Sequence, residues 1–271
     1  MEWKNLYRGL FMGASDVIPG VSGGTIAVLL GIYDRLIAAV NGILSKDWKK
    51  HLLFLVPLGI GILTAIFLLA NVIEWLFEHY PGPTQFFFLG LILGVLPYLF
   101  HQADARHAFK RSHFVLLMIA VLLVGSMAFF TPDEGGIIEN LTASTFILLF
   151  VSGFIASSAM IIPGISGSFM LLLIGVYPTI IAAISNLQLA IIAVTGVGIV
   201  LGLLTMSKII HYFLTNHYTG TFAIIIGLVI GSVFVVFPGW PGSTDLLMLS
   251  VVAFAAGLLS AYLLGRLEYK T

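Results

Sequence analysis

Pro19-Gly20-Val21-Ser22-Gly23-Gly24 returns as Pro163-Gly164-Ile165-Ser166-Gly167-Ser168, 144 positions later, in a chain of 271 residues. Both copies interrupt strongly apolar sequence. Helix-breaking backbone at membrane depth is tolerated only where it is buried in protein or lines a polar cavity. Paired broken segments in matching places of two halves mark a transporter's binding site.

Composition agrees with a membrane setting. Hydrophobic residues make up 59% of the chain and charged residues 9%, against roughly 25% charged in soluble domains. Mean hydropathy is +1.10. So little charge cannot cover a water-exposed surface, and an all-α polytopic membrane protein is expected. The formal net charge is zero, which argues against a nucleic-acid partner. The chain has no cysteine, which excludes disulfides, thiol catalysis and cysteine metal sites. No metal and no cofactor are expected. The N-terminus does not read as a cleavable signal, because Asp16 and Pro19 cut its apolar stretch.

The repeat extends beyond the loop. Gly31-Ile32-Tyr33 matches Gly175-Val176-Tyr177 at the same offset. Further on the offset becomes 137, where Gly90-Leu91-Ile92-Leu93-Gly94 matches Gly227-Leu228-Val229-Ile230-Gly231. Two repeats are expected, 1–143 and 144–271. Each is a re-entrant helical hairpin, about 12–43 and about 144–187, followed by three full spans. The six spans fall at roughly 52–77, 84–100, 113–130, 189–207, 220–237 and 246–264, each near the ~20 apolar residues a membrane helix needs. With both broken segments as hairpins, all 12 Lys and Arg fall on one side, which the positive-inside rule makes cytoplasmic together with both termini. Three crossings per half is an odd number, so the second repeat is inverted relative to the first.

The residues at the breaks suit an anion. The first amides of a half-helix have no intrahelical partner, and they favour negative charge. Ser22 and Thr25 add hydroxyls, and Gly20, Gly23 and Gly24 let backbone approach a ligand. Gly164, Ile165, Ser166, Gly167 and Ser168 offer the same from the other half. Val21 and the flanking Ser15 and Ser158 complete the two loops. Asp16 lies three positions before the first break, and an intramembrane acid is a functional candidate by default. It is a candidate for binding a coupling proton, pairing with a cation or capping the half-helix; the second half has Met160 in its place. Arg35, beside Asp34, is a candidate for attracting a lipid phosphate at the hairpin's mouth, or a snorkelling anchor.

The stretch Gly13-Ala14-Ser15-Asp16-Val17-Ile18-Pro19-Gly20-Val21-Ser22-Gly23-Gly24-Thr25, followed by Gly31-Ile32-Tyr33, resembles the signature of the bacterial polyprenyl-phosphate transporter family, the PopT-type undecaprenyl-phosphate translocases. Ile162-Pro163-Gly164-Ile165-Ser166-Gly167-Ser168, with Gly175 and Tyr177, resembles the family's second motif. The resemblance covers the whole chain in length and repeat order. It implies a flippase of the bacterial cytoplasmic membrane that returns undecaprenyl phosphate from the outer to the inner leaflet. The expected partners are that lipid, surrounding membrane lipids and protons as coupling ion. Two other readings stand beside it. Integral-membrane undecaprenyl-pyrophosphate phosphatases also pair re-entrant loops, but with Pro-Gly-x-Ser-Arg-Ser, whereas Gly23 and Gly167 follow the serines here. A transporter for a small soluble anion would use the same loops.

Overall fold

The computed structural model describes residues 2–16, 22–130, 136–138 and 140–268. Their regular structure is entirely helical. The first half contains α1 (Lys4–Asp16), α2 (Gly23–Leu29), α3 (Tyr33–Gly42), α4 (Trp48–His79), α5 (Pro81–Gln102), α6 (Ala105–Ala108) and α7 (Arg111–Ser126). The second contains α8 (Ala143–Met160), α9 (Gly167–Ile174), α10 (Tyr177–Ser185), α11 (Leu189–Asn216), α12 (Tyr218–Val236) and α13 (Thr244–Glu268).

Among the described residues, seven helices are long and apolar enough to cross a membrane: α4, α5, α7, α8, α11, α12 and α13. Helices α9 and α10 bend by 109° across their junction and count as an eighth span if taken together. The six expected spans are all present. The seventh, α8, has 18 residues where one arm of a hairpin was expected. Residues 143–160 are apolar almost throughout, and the Ser152 hydroxyl donates to the Leu148 carbonyl (2.7 Å), so its polar group is satisfied without leaving the helix. The matching first-half helix, α1, has 13 residues and carries Lys4 and Arg8.

Each broken segment is divided twice. Ser22 and Ser166 are extended N-caps of α2 and α9. Gly31 (φ 63°) and Gly175 (φ 80°) end those helices in left-handed backbone, the usual glycine C-cap. Three helices therefore stand where two half-helices were expected, α1–α3 in the first half and α8–α10, with α8 a full span, in the second.

Four helix pairs pack closely, and every pair is parallel. Asn5 donates to the Phe54 carbonyl (3.1 Å), Gly9 lies on Gly61, and Gly13 lies on Ala65, so α1 runs alongside α4. Gly153 faces Thr195 and the Ser158 hydroxyl reaches Gly202, so α8 runs alongside α11. Gly90 faces Phe254 and Gly94 faces Ala261 in the pair α5–α13. Gly227 faces Leu117 and Gly231 faces Val124 in the pair α7–α12. Small residues at these crossings let the backbones approach, which is how helices associate in lipid.

Parallel pairing and one-residue turns at Tyr80 and His217 gather helix ends. The starts of α1, α4, α7 and α12 and the finishes of α5, α11 and α13 share one end of the molecule. The described Lys and Arg residues lie toward that basic end.

The two short helices after the breaks differ in burial. Every residue of α2 is buried, against α1, α3, α5 and α13. An element apolar all round belongs inside, and Ile26, Ala27, Val28 and Leu29 are part of the main core. No residue of α9 is fully buried, and it packs chiefly against α8 and α10.

Candidate functional site

The two breaks meet. Ser22 is 1% exposed, and its hydroxyl donates to the carbonyls of Met160 (3.2 Å) and Ile162 (3.4 Å). The same oxygen accepts from the Gly24 amide at 3.1 Å. Three residues on, the Thr25 hydroxyl oxygen accepts from the Gly164 amide at 2.9 Å. The Tyr33 hydroxyl donates to the Ile161 carbonyl at 3.2 Å. Carbonyls that α8 leaves unpaired at its end thus find donors in the other half of the chain.

Asp16 closes the first break on itself. Its Oδ1 accepts from the Gly23 amide at 2.7 Å, and its Oδ2 is buried with no hydrogen-bond partner among the described residues. A Cβ at Gly23 would fall 2.7 Å from Asp16 Oδ1, so a side chain there would push the carboxylate aside. Gly164 is constrained twice, by φ 88° and by Leu228, whose carbonyl oxygen a Cβ would meet at 2.6 Å.

The second break has no such carboxylate. The hydroxyls of Ser166 and Ser168 are 2.9 Å apart, and Ser166 accepts from the Phe169 amide at 3.5 Å. Gly167 and Ser168 are the first residues of α9, where the helix itself offers their amides no acceptor. Ile165 is half-buried and packs on the cluster of Ala120, Val124 and Leu228.

Among the expected site residues, Asp16, Ser22, Gly23, Gly24, Thr25 and Gly164 come together at this junction, and Ser166, Gly167 and Ser168 follow two to four residues later. Gly20 and Val21 lie outside the described residues. Ser15 and Ser158 are buried but point elsewhere: Ser15 donates to the Met12 carbonyl (2.6 Å) and Ser158 to the Gly202 carbonyl (3.4 Å). Arg35 lies on the exposed side of α3, paired with Glu2 at 2.6 Å and over the ring of Phe54 at 5.0 Å.

Two residues were missed at the sequence level. Tyr33 was visible only as part of the repeated Gly-x-Tyr triplet. Asp34 carries a second buried carboxylate oxygen, Oδ1, with no hydrogen-bond partner among the described residues; it was noticed only as a neighbour of Arg35.

Chemically, the junction offers hydroxyls, early helix amides and one carboxylate. Ser22, committed to two carbonyls and one amide, is not set against a base as a nucleophile would be.

Interrupted helices meeting inside a multi-pass helical membrane protein define the class as a membrane transporter. Comparison with known proteins is specific within that class. The chain belongs to the undecaprenyl phosphate translocase-like family, whose sequence profile matches residues 12–253. It is 43% identical over 276 residues to the polyprenyl-phosphate transporter of Staphylococcus aureus (strain NCTC 8325 / PS 47), covering 98% of this chain and 97% of the relative. It is 38% identical over 252 residues to the polyprenyl-phosphate transporter of Vibrio cholerae serotype O1 (strain ATCC 39315 / El Tor Inaba N16961), covering 88% and 79%. No solved structure matches the chain.

Proposed function

We propose that this chain carries undecaprenyl phosphate, or a closely related polyprenyl phosphate, from the outer to the inner leaflet of the bacterial cytoplasmic membrane. The observation that carries the reading is the junction: hydroxyls of Ser22 and Thr25 are bonded across to the break at 160–164, in a family whose relatives are named polyprenyl-phosphate transporters. A charged phosphate in bare bilayer costs several kcal/mol or more. Preorganised donors offset that cost, while the prenyl chain stays in lipid.

An inverted repeat supports alternating access. Gly9 meets Leu58, and Gly153 meets Thr195, the same contact moved by 144 and 137 positions. Gly90 meets Phe254, and Gly227 meets Leu117, which is the same contact with the halves exchanged. Helices α1 and α4 start at the basic end, whereas α8 and α11 start at the other, so the halves run in opposite directions. The basic end is then cytoplasmic.

In the present conformation the buried α2 seals the cytoplasmic side, and the part-exposed start of α9 turns Gly167 and Ser168 toward the outside, with Ser166 buried beneath them. Those three groups are the outward phosphate seat in our reading. Asp16 binds the coupling proton, and it leaves the Gly23 amide when the seat passes to the first break.

The experiment is leaflet-resolved movement of undecaprenyl phosphate in proteoliposomes, with and without a proton gradient. Wild type is expected to move it, and Ser166→Ala/Ser168→Ala to slow it at least ten-fold. Asp16→Asn keeps an oxygen for the Gly23 amide and is expected to flatten the dependence of rate on pH. No movement by wild type would overturn the substrate, and an unchanged pH profile in Asp16→Asn would remove the coupling role.

A further inference from the structure

A lipid with a long tail must reach the junction from the side, and two cavities stand where it could do so. One lies at the end opposite the basic one, between the finish of α4, the start of α5 and α13. It has a volume of about 510 Å³, and its walls include Tyr80, Pro83, Thr84, Phe87, Leu249 and Ala253. Tyr80 and Pro83 also border an adjoining space of about 180 Å³ lined by Gly82 and Ser250. The Ser250 hydroxyl is buried with no hydrogen-bond partner among the described residues. The other cavity, about 750 Å³, lies at the basic end between the start of α7, the finish of α11 and the start of α12.

The cavities use the same positions of the two halves. The offset of 137 that relates Gly90 to Gly227 also turns Tyr80, Pro83, Thr84 and Phe87 into His217, Gly220, Thr221 and Ile224. All four line the cavity at the basic end. Taken in reverse, it turns Leu249, Ser250 and Ala253 into Ser112, His113 and Leu116, which line it as well. The chemistry differs between them. The cavity at the basic end has Lys110, His113 and His217 in its walls and no carboxylate, whereas the walls of the 510 Å³ cavity carry no charged side chain.

We infer that the two cavities are lateral portals for polyprenyl phosphate, one opening to each leaflet, with the portal at the basic end docking the phosphate through Lys110. This rests on the transport reading above. Apolar walls at the opposite end receive the isoprenoid chain, and the Ser250 hydroxyl supplies a polar contact at its head. The excess of cationic and donor groups at the basic end favours arrival there, which matches the proposed direction of movement.

Plugging tests the assignment. A Cβ at Gly82 meets nothing within 4 Å, and one at Gly220 meets only the Leu116 side chain at 3.8 Å, so at both sites a side chain leaves the backbone without a clash at its first atom. Gly196, on α11, is equally open and lines neither portal. In proteoliposomes, Gly82→Trp and Gly220→Trp are each expected to slow undecaprenyl phosphate movement at least ten-fold, with Gly196→Trp unaffected. A photoreactive phenylalanine at Phe87 or Ile224 of otherwise intact protein gives a second readout independent of the plugs. Adducts with undecaprenyl phosphate are expected at both positions and to be competed by that lipid. At Ile224, beside Lys110, undecaprenol, phosphatidylglycerol and inorganic phosphate should not compete; at Phe87, where apolar walls receive the chain, undecaprenol should compete and the other two should not. Normal movement through either plugged variant, or adducts competed equally by phosphatidylglycerol, would overturn the portals while leaving wild-type transport intact. Failure of wild type to move the lipid would instead overturn the transport reading and the portals with it.

Discussion

At the residue scale the junction depends on two glycines in unequal ways. Gly164 and Gly175 both have positive φ, at 88° and 80°. Left-handed backbone costs a residue with a Cβ about 1–2 kcal/mol. Gly175→Ala should show that cost alone, because nothing lies within 4 Å of its Cβ position. Gly164→Ala adds a collision with the Leu228 carbonyl and should be the more destabilising of the two. Unfolding of the purified proteins in detergent measures the difference; equal losses would mean that the break yields freely against α12. The hydroxyls of Ser22 and Thr25 act at the same scale, since each satisfies backbone groups that a helix end or a loop leaves open.

At the element scale the parallel pairs rest on small residues at defined positions. Gly198 and Gly196 lie on one helix, α11, but only Gly198 faces α8 through Phe150. Gly198→Ala is expected to destabilise by about 1–3 kcal/mol through overpacking. Gly196→Ala should be neutral or stabilise by up to about 1 kcal/mol through helix propensity. Thermal unfolding of the pair, compared with wild type, separates contact from propensity. Much at this scale was legible in the sequence. Hydropathy located six spans, and Pro19-Gly20 and Pro163-Gly164 located both breaks. The second division at Gly31 and Gly175 was present as a repeated triplet, but its left-handed backbone does not follow from hydropathy. The full length of α8 was hidden because its stretch was read as one arm of a hairpin and Ser158 as a site residue, although the Ser158 hydroxyl bonds to α11. The pairing of Arg35 with Glu2 depends on α3 folding back beside the start of α1, which no local pattern encodes.

At the scale of the whole molecule, the basic end and the proposed inversion of the halves imply one disposition in the membrane. The chain has no cysteine, so single cysteines report without background. Trp240→Cys, at a position 80% exposed between α12 and α13, should react with an impermeant maleimide on intact cells. Lys49→Cys, exposed at the start of α4, should react only after permeabilisation. Labelling of both from outside would rule out the proposed topology. Charge placement in the sequence leads to the proposed antiparallel sense of the halves; the exchange of partners, α5 with α13 and α7 with α12, is not legible there, because it joins segments more than a hundred residues apart. That exchange ties each half to the other along its length, while the bonds of Ser22, Thr25 and Tyr33 fasten them at a single central point. A body pinned at its middle behaves as a seesaw. In the proposed cycle a small tilt about the pin would move the two ends in opposite senses, so that one mouth would widen as the other narrowed, with no separate latch needed to keep both from standing open together.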